Sequence, residues 1–166
     1  MNVVLIGMPG AGKSHVGRAL AKATGMKFTD TDKLIRDRYG DIPTIFKEKG
    51  EEFFRFLESE AAKEAASGDE RVISTGGGMI LKEENMAALK ENGTVVYLKA
   101  SEETLARRTA NSSRPLVRGD VKKNIAELYK KRSPLYEKYA DITVDADGDD
   151  AAKKVESILR SIRRKR

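Results

Sequence analysis

Val3-Val4-Leu5-Ile6-Gly7-Met8-Pro9-Gly10-Ala11-Gly12-Lys13-Ser14 is the stretch on which the architecture of this chain turns. Its first four residues are a short, continuous apolar run of β-branched type, as in a strand buried on both faces. The next eight satisfy the phosphate-loop spacing G-x-x-x-x-G-K-[ST]. Beyond Lys13, apolar residues recur at Val16, Leu20 and Ala23 until Gly25, so a helix leaves the loop and a glycine stops it. Strand, glycine loop and helix in that order turn backbone N–H groups toward one point, where the helix N-terminus adds positive potential. In such a loop Lys13 reaches the β- and γ-phosphates of a nucleotide, and the Ser14 hydroxyl takes a place on Mg²⁺. The dinucleotide-binding spacing G-x-G-x-x-G is absent. Nucleotide binding alone does not identify what is phosphorylated, or that transfer occurs.

Working outward, short β-branched runs alternate with longer helical stretches. Strands are predicted at 27–29, 71–75, 94–98 and 142–144, and helices at 51–67, 83–91, 121–131 and 151–163, with a further helix capped by Ser101 and running through Arg107. This alternation predicts an α/β fold, a three-layer αβα sandwich around a five-stranded parallel sheet of the phosphate-loop NTPase type. In such sheets the ligand sits at the carboxyl ends of the strands. The 166 residues suit one domain, 1–166, with a core of ordinary size. The polar segment at about 109–120 lacks periodicity and reads as a mobile lid.

Composition narrows the chemistry. Apolar residues make up 39% and charged residues 35% of the chain, as in a globular protein with a heavily charged surface. There is no cysteine, which excludes disulfides, thiolate metal sites and a cysteine nucleophile, and suits a cytoplasmic location. His15 is the only histidine and reads as a helix residue, so neither a zinc cluster nor a Ser-His-Asp set can form around it. The first residues lack a basic region, and the apolar run breaks at Gly7 and Pro9, so neither a signal peptide nor a membrane span is expected. A net charge of +6 fits either an anionic small molecule or a solvated surface. Much of the excess lies in Arg160-Ser161-Ile162-Arg163-Arg164-Lys165-Arg166, where few aromatics interleave, so a basic helix end is expected rather than a nucleic-acid site.

The remaining chemistry lies mostly just after strands. Asp30-Thr31-Asp32 follows the second strand, and its spacing lets both carboxylates approach one pocket if the turn stays extended. One would serve the metal shell and the other an acceptor hydroxyl; the competing use is a helix cap. The third strand ends Ile73-Ser74-Thr75-Gly76, without the acid that many phosphate-loop proteins place there. Asp30 is then the nearest candidate for the magnesium shell, on the expectation that the second strand neighbours the first. Gly76-Gly77-Gly78 is entropically costly as a plain turn, which favours close approach of its backbone to a ligand. Arg55 and Glu58 share a helix face and can pair, and Phe53, Phe54 and Phe56 around Arg55 suggest a pocket wall holding a guanidinium suited to carboxylates. Arg114-Pro115-Leu116 places an arginine in the lid, and Arg132 sits near a helix end ahead of Pro134.

Taken together, these segments resemble the shikimate kinase family. The matching pieces are Gly7 to Ser14, Phe28-Thr29-Asp30-Thr31-Asp32, Ile45-Phe46, Gly50-Glu51 with Phe54-Arg55 and Glu58, Ser74 with Gly76-Gly77-Gly78, Arg114-Pro115-Leu116, and Arg132-Ser133-Pro134-Leu135-Tyr136. They cover nearly the whole chain in the family's order. The resemblance implies transfer of the γ-phosphate of ATP to the 3-hydroxyl of shikimate, with one Mg²⁺ and acceptor-binding helices at about 31–60. ATP would be held by Gly10, Ala11, Gly12, Lys13, Ser14 and His15. Arg108, or Arg107 beside it, would stack on adenine. Ser14 and Asp30 would serve the metal. Asp32 would be the base, Lys13 and Arg114 would stabilise the moving phosphate, and Arg55 and Arg132 would take the shikimate carboxylate. Gly76, Gly77 and Gly78 would contact the acceptor, with Phe46, Phe54 and Glu58 lining or bracing its site. The implied partners are ATP and shikimate, without nucleic acid or membrane, in a monomer. Rival readings are a gluconate or nucleoside-monophosphate kinase of the same fold, or a non-catalytic ATP-binding module.

Overall fold

β1 (Asn2–Ile6) is buried at every position and occupies the middle of a five-stranded parallel sheet of order β2-β3-β1-β4-β5. Its neighbours are β3 (Arg71–Ser74), in register Val4 to Ile73, and β4 (Gly93–Lys99), in register Val4 to Val95. The edges are β2 (Lys27–Asp30) and β5 (Ile142–Asp145). The computed structural model describes residues 1–110 and 120–165. Arg114 and the body of the expected lid lie outside them.

Helices cover both faces. α1 (Lys13–Thr24) packs against the C-terminal α8 (Ala151–Lys165), while α4 (Glu51–Ala66) packs against α5 (Glu83–Glu91). α6 (Glu102–Thr109) packs against α7 (Val121–Tyr139), which rests on β4 and on a 3-10 turn at Met79–Leu81. Right-handed crossovers require this division. The chain leaves β1 toward the β2 edge and leaves β3 toward the β5 edge, so the helices that follow fall on opposite faces. The crevice beyond the carboxyl ends of β1 and β3 is therefore the topological switch point, where open α/β sheets bind ligands.

Two cores result. The larger includes Val4, Leu5, Ile73, Val95 and Val96 of the sheet with Leu20, Leu89 and Ile158 of the helices. A smaller one, Ile35, Ile45, Phe54, Leu57 and Ala61, joins α2 (Thr31–Tyr39), α3 (Ile42–Lys49) and α4.

Three expectations need correction. β2 does not neighbour β1, because β3 lies between them; Val72 and Ile73 are fully buried whereas Lys27 is exposed, so β3 is the better interior strand. Residues 31–32 open α2 rather than extending the turn. Finally, α7 does not stop near Arg132 but carries Pro134 inside it and ends at Tyr139. Proline removes one internal hydrogen bond, and the packing of Ile125, Arg132 and Tyr136 against the body compensates. The basic C-terminal stretch is helical to Lys165, with Val155 and Ile158 buried. Among the described residues no helix is long and apolar enough to cross a membrane.

Candidate active site

The glycine loop after β1 is shaped by backbone angles that side chains resist. Gly10 and Gly12 have φ of 90° and 89°, in the left-handed region that glycine enters without a Cβ penalty. Gly10 also lies so near α6 that a Cβ would stand 2.7 Å from Cγ2 of Thr109. Gly12 is the N-cap of α1, and no side chain caps that end, so its amides face the loop's hollow. Lys13 is 8% exposed, and its ammonium donates to the carbonyls of Gly7 (2.8 Å) and Met8 (2.9 Å).

Ser14 connects this loop to the second strand. Its hydroxyl donates to Oδ2 of Asp30 at 3.1 Å and lies 3.2 Å from the Ser74 hydroxyl. Oδ1 of Asp30 accepts from the backbone N–H of Asp32 (2.9 Å) and Lys33 (3.3 Å), capping α2. Asp30 thus does both things the sequence left as alternatives: one oxygen caps, the other faces Ser14. Ser74, for which sequence reasoning offered no role, pairs with both Leu5 and Asp30 across the sheet and so stands where the expected acid is missing. Ser14, Asp30 and Ser74 form a hard-oxygen set with one carboxylate, and among the described residues no three His, Cys, Asp or Glu gather as a metal cluster. Such a set suits Mg²⁺, which keeps several waters and leans on substrate phosphates.

The other half of the crevice is built from buried charges. Arg55 of α4 is 9% exposed and donates to Glu58 at 2.9 Å and to Glu51 at 3.1 Å. The Arg55–Glu58 pair is therefore no surface bridge, for Glu58 is 1% exposed. Burial pushes the Glu58 carboxyl above its ordinary range although Arg55 pulls it down; Asp32 and Arg132 also act on it. Burial works against the Arg55 cation, but Glu58 and Glu51 outweigh it and leave its pKa raised. Nε of Arg55 is buried without a hydrogen-bond partner. Arg132 of α7 is 4% exposed and makes no ion pair among the described residues. A buried cation is costly unless something anionic meets it.

Gly76-Gly77-Gly78 makes this crowding possible. A Cβ on Gly76 would stand 2.7 Å from Oδ1 of Asp32 and 3.0 Å from Oε2 of Glu58. On Gly77 it would meet Pro9 at 2.9 Å and the Arg132 guanidinium at 3.1 Å, and on Gly78 it would overlap the Arg55 guanidinium. Sequence reasoning expected backbone close to a ligand. The structure adds that the triplet first admits four charged side chains, Asp32 of α2, Arg55 and Glu58 of α4 and Arg132 of α7.

These halves share one open cleft of about 690 Å³. Lys13, Ser14 and Asp30 line it on one side, and Asp32, Arg55, Glu58 and Arg132 on the other, with Gly76, Gly77 and Gly78 between. Phe46 and Phe54 form an edge-on wall with centroids 4.9 Å apart. Phe53 and Phe56 point outward, the latter 54% exposed, so only one of the three clustered phenylalanines serves the pocket. Gly10, Gly12 and the exposed His15 line the glycine-loop side of the cleft, whereas Ala11 is fully buried.

Arg108 also reaches the cleft, but its guanidinium donates to the carbonyls of Gly10 (3.3 Å), Asp147 (3.0 Å) and Gly148 (2.9 Å), tying the loop to the turn after β5. Arg107 is exposed. The sequence reading missed Arg36, Asp41, Ile42 and Pro43, which line the same cleft. Only Arg36 carried a signal, standing one helical turn after Asp32 on the same face.

Comparison with known proteins points to one family. The family model described as shikimate kinase matches residues 9–163. A shikimate kinase of Thioalkalivibrio sulfidiphilus is 46% identical over 165 residues, 98% of this chain and 87% of that one. A shikimate kinase of Moorella thermoacetica is 42% identical, covering 98% and 94% of the two chains. The structure of shikimate kinase from Acinetobacter baumannii in complex with shikimate superposes with a TM-score of 0.95 at 36% identity, over 99% of this chain and 94% of that one. A gluconokinase from Sinorhizobium meliloti, at a TM-score of 0.63 and 20% identity, shares the fold alone.

Proposed function

The chain belongs to the shikimate kinase family, and from that premise we propose how its cleft moves the γ-phosphate of ATP onto the 3-hydroxyl of shikimate. The activity is that of an ATP-dependent phosphotransferase with an alcohol acceptor, in the route to chorismate and the aromatic amino acids. The observation that carries the site assignment is the buried Arg132, which makes no ion pair among the described residues, in one cleft with Arg55, whose Nε is buried without a hydrogen-bond partner. Two such guanidiniums in one pocket suit a bidentate carboxylate.

In this reading the triphosphate lies on the loop amides at the head of α1, with the Lys13 ammonium turning from Gly7 and Met8 to the β- and γ-phosphates. Ser14 and Asp30 would hold one Mg²⁺, which when bound neutralises charge on the phosphate oxygens. Shikimate lies against Arg55, Arg132 and the Gly77 backbone, with Phe46 and Phe54 along its ring and Glu58 bracing Arg55. Asp32 orients the 3-hydroxyl and takes its proton. The hydroxyl oxygen bonds to the γ-phosphorus as the bond to the β,γ-bridging oxygen breaks, giving shikimate 3-phosphate and ADP. Arg114, outside the described residues, is assigned to the transferring phosphate, and Arg108 to the adenine side, by family resemblance. All these groups come from one chain, so a monomer in the cytoplasm suffices. The C-terminal helix, with an apolar stripe packed on the body, needs no nucleic acid.

The test is ADP release with ATP, Mg²⁺ and shikimate, beside arms with no acceptor, gluconate or a nucleoside monophosphate. Release in the shikimate arm alone is expected. Equal release in another acceptor arm would remove the acceptor assignment.

A further inference from the structure

One residue of the Arg132-Ser133-Pro134-Leu135-Tyr136 segment has no place in the chemistry above. Tyr136 is fully buried, one helical turn beyond Arg132 on the same face of α7. Its hydroxyl donates a short hydrogen bond, 2.6 Å, to the carbonyl of Gly77. Its ring stacks on Tyr97 of β4, with centroids 5.1 Å apart and planes 26° apart. Burial pushes the phenol up to about 12, so the hydroxyl keeps its proton and donates at physiological pH.

We propose that Tyr136 is a positioning residue of the acceptor subsite, acting through the Gly77 carbonyl to hold the glycine turn and Arg132 in the arrangement that receives the acceptor carboxylate. The inference rests on the acceptor assignment given above. No peptide bond among the described residues is cis. In a trans unit carbonyl and N–H point opposite ways, so the bond that fixes the Gly77 carbonyl also fixes the N–H of Gly78. The N–H groups of Gly77 and Gly78 make no hydrogen bond among the described residues, and both glycines line the cleft. Without a Cβ this turn has many backbone states to lose, and a single buried bond to a stacked ring removes most of them. Tyr136 and Arg132 share one rigid helix, so the same contact sets the guanidinium against Gly77, near which a Cβ would already stand at 3.1 Å. Pure packing would require only the ring.

Tyr136→Phe separates ring from hydroxyl. The expected result is a rise of about 5- to 20-fold in the shikimate KM, with kcat and the ATP KM within about two-fold. Calorimetry without nucleotide should show shikimate affinity falling by the same factor. Combined with Arg132→Lys, the two effects on KM should be less than additive, because both act on one contact set. An unchanged shikimate KM would overturn the proposal, as would a joint shift of kcat and both KM values with a lowered Tm, the mark of a purely structural role. If wild-type protein released no ADP with shikimate, the acceptor assignment itself would fall and the inference with it; wild-type activity beside a neutral Tyr136→Phe removes the inference alone.

Discussion

The two sides of the cleft are made by different means. The nucleotide side is local: one strand end, one loop and one helix start, residues 6–14, seated on the larger core and acting mainly through backbone groups. The side proposed for the acceptor is assembled from α2, α4, the turn after β3 and α7, through long charged side chains. Two of those helices rest on the smaller core of Ile35, Ile45, Phe54, Leu57 and Ala61. A phosphate can be met by amides at a helix end. A ring-borne carboxylate needs guanidiniums at a fixed spacing, which only distant parts of a fold can supply. The acceptor side therefore holds its charges in place by mutual pairing, Arg55 with Glu58 and Glu51, and by the absence of Cβ atoms at Gly76, Gly77 and Gly78. The smaller core also places α2 and α3 among the elements expected to open first, since few buried apolar contacts hold them.

Substitutions on the two sides should part along different kinetic constants. Lys13→Ala removes the only lysine that lines the cleft among the described residues; on the proposed reading kcat should fall at least ~10²-fold with the shikimate affinity retained. A matching loss of shikimate binding in calorimetry would show the halves to be one structural unit. Arg132→Ala removes a buried cation from the acceptor side and should raise the shikimate KM about 10- to 100-fold, with the ATP KM little changed. Gly78→Ala is subtler: the added methyl must displace the Arg55 guanidinium, and the shikimate KM should rise about 5- to 10-fold. Gly148→Ala, where a Cβ meets nothing within 4 Å, should leave every constant within about two-fold. Equal effects of the two alanines would deny that the glycine triplet exists to admit side chains.

The same contrast explains what could be read from the sequence. Spacing and periodicity exposed the glycine loop, the five strands and most helices, because each is a local pattern. The order of the strands was not local: Asp30 reaches Ser14 across β3, through the register of Asp30 with Ser74, and not through adjacency to β1. The length of α7 was hidden by Pro134, which reads as a stop but is carried inside the helix by packing around Arg132 and Tyr136. Among Phe53, Phe54 and Phe56, composition indicated a wall but could not say which ring faces inward. Arg36, Asp41, Ile42 and Pro43 line the cleft through the packing of α2 against α3, which no spacing rule encodes. The separate pieces of the acceptor side were visible one at a time, and family resemblance rather than physics joined them.

The central claim is that one cleft holds the triphosphate against Lys13 and a ring-borne carboxylate against two arginines, with Asp32 at the reacting hydroxyl. A crystal structure with ADP, Mg²⁺ and shikimate tests it directly. The account predicts the shikimate carboxylate on the Arg55 and Arg132 guanidiniums and its 3-hydroxyl about 3 Å from an Asp32 oxygen, facing the phosphates beside Lys13. A carboxylate bound away from both arginines, or a 3-hydroxyl out of reach of Asp32, would contradict it.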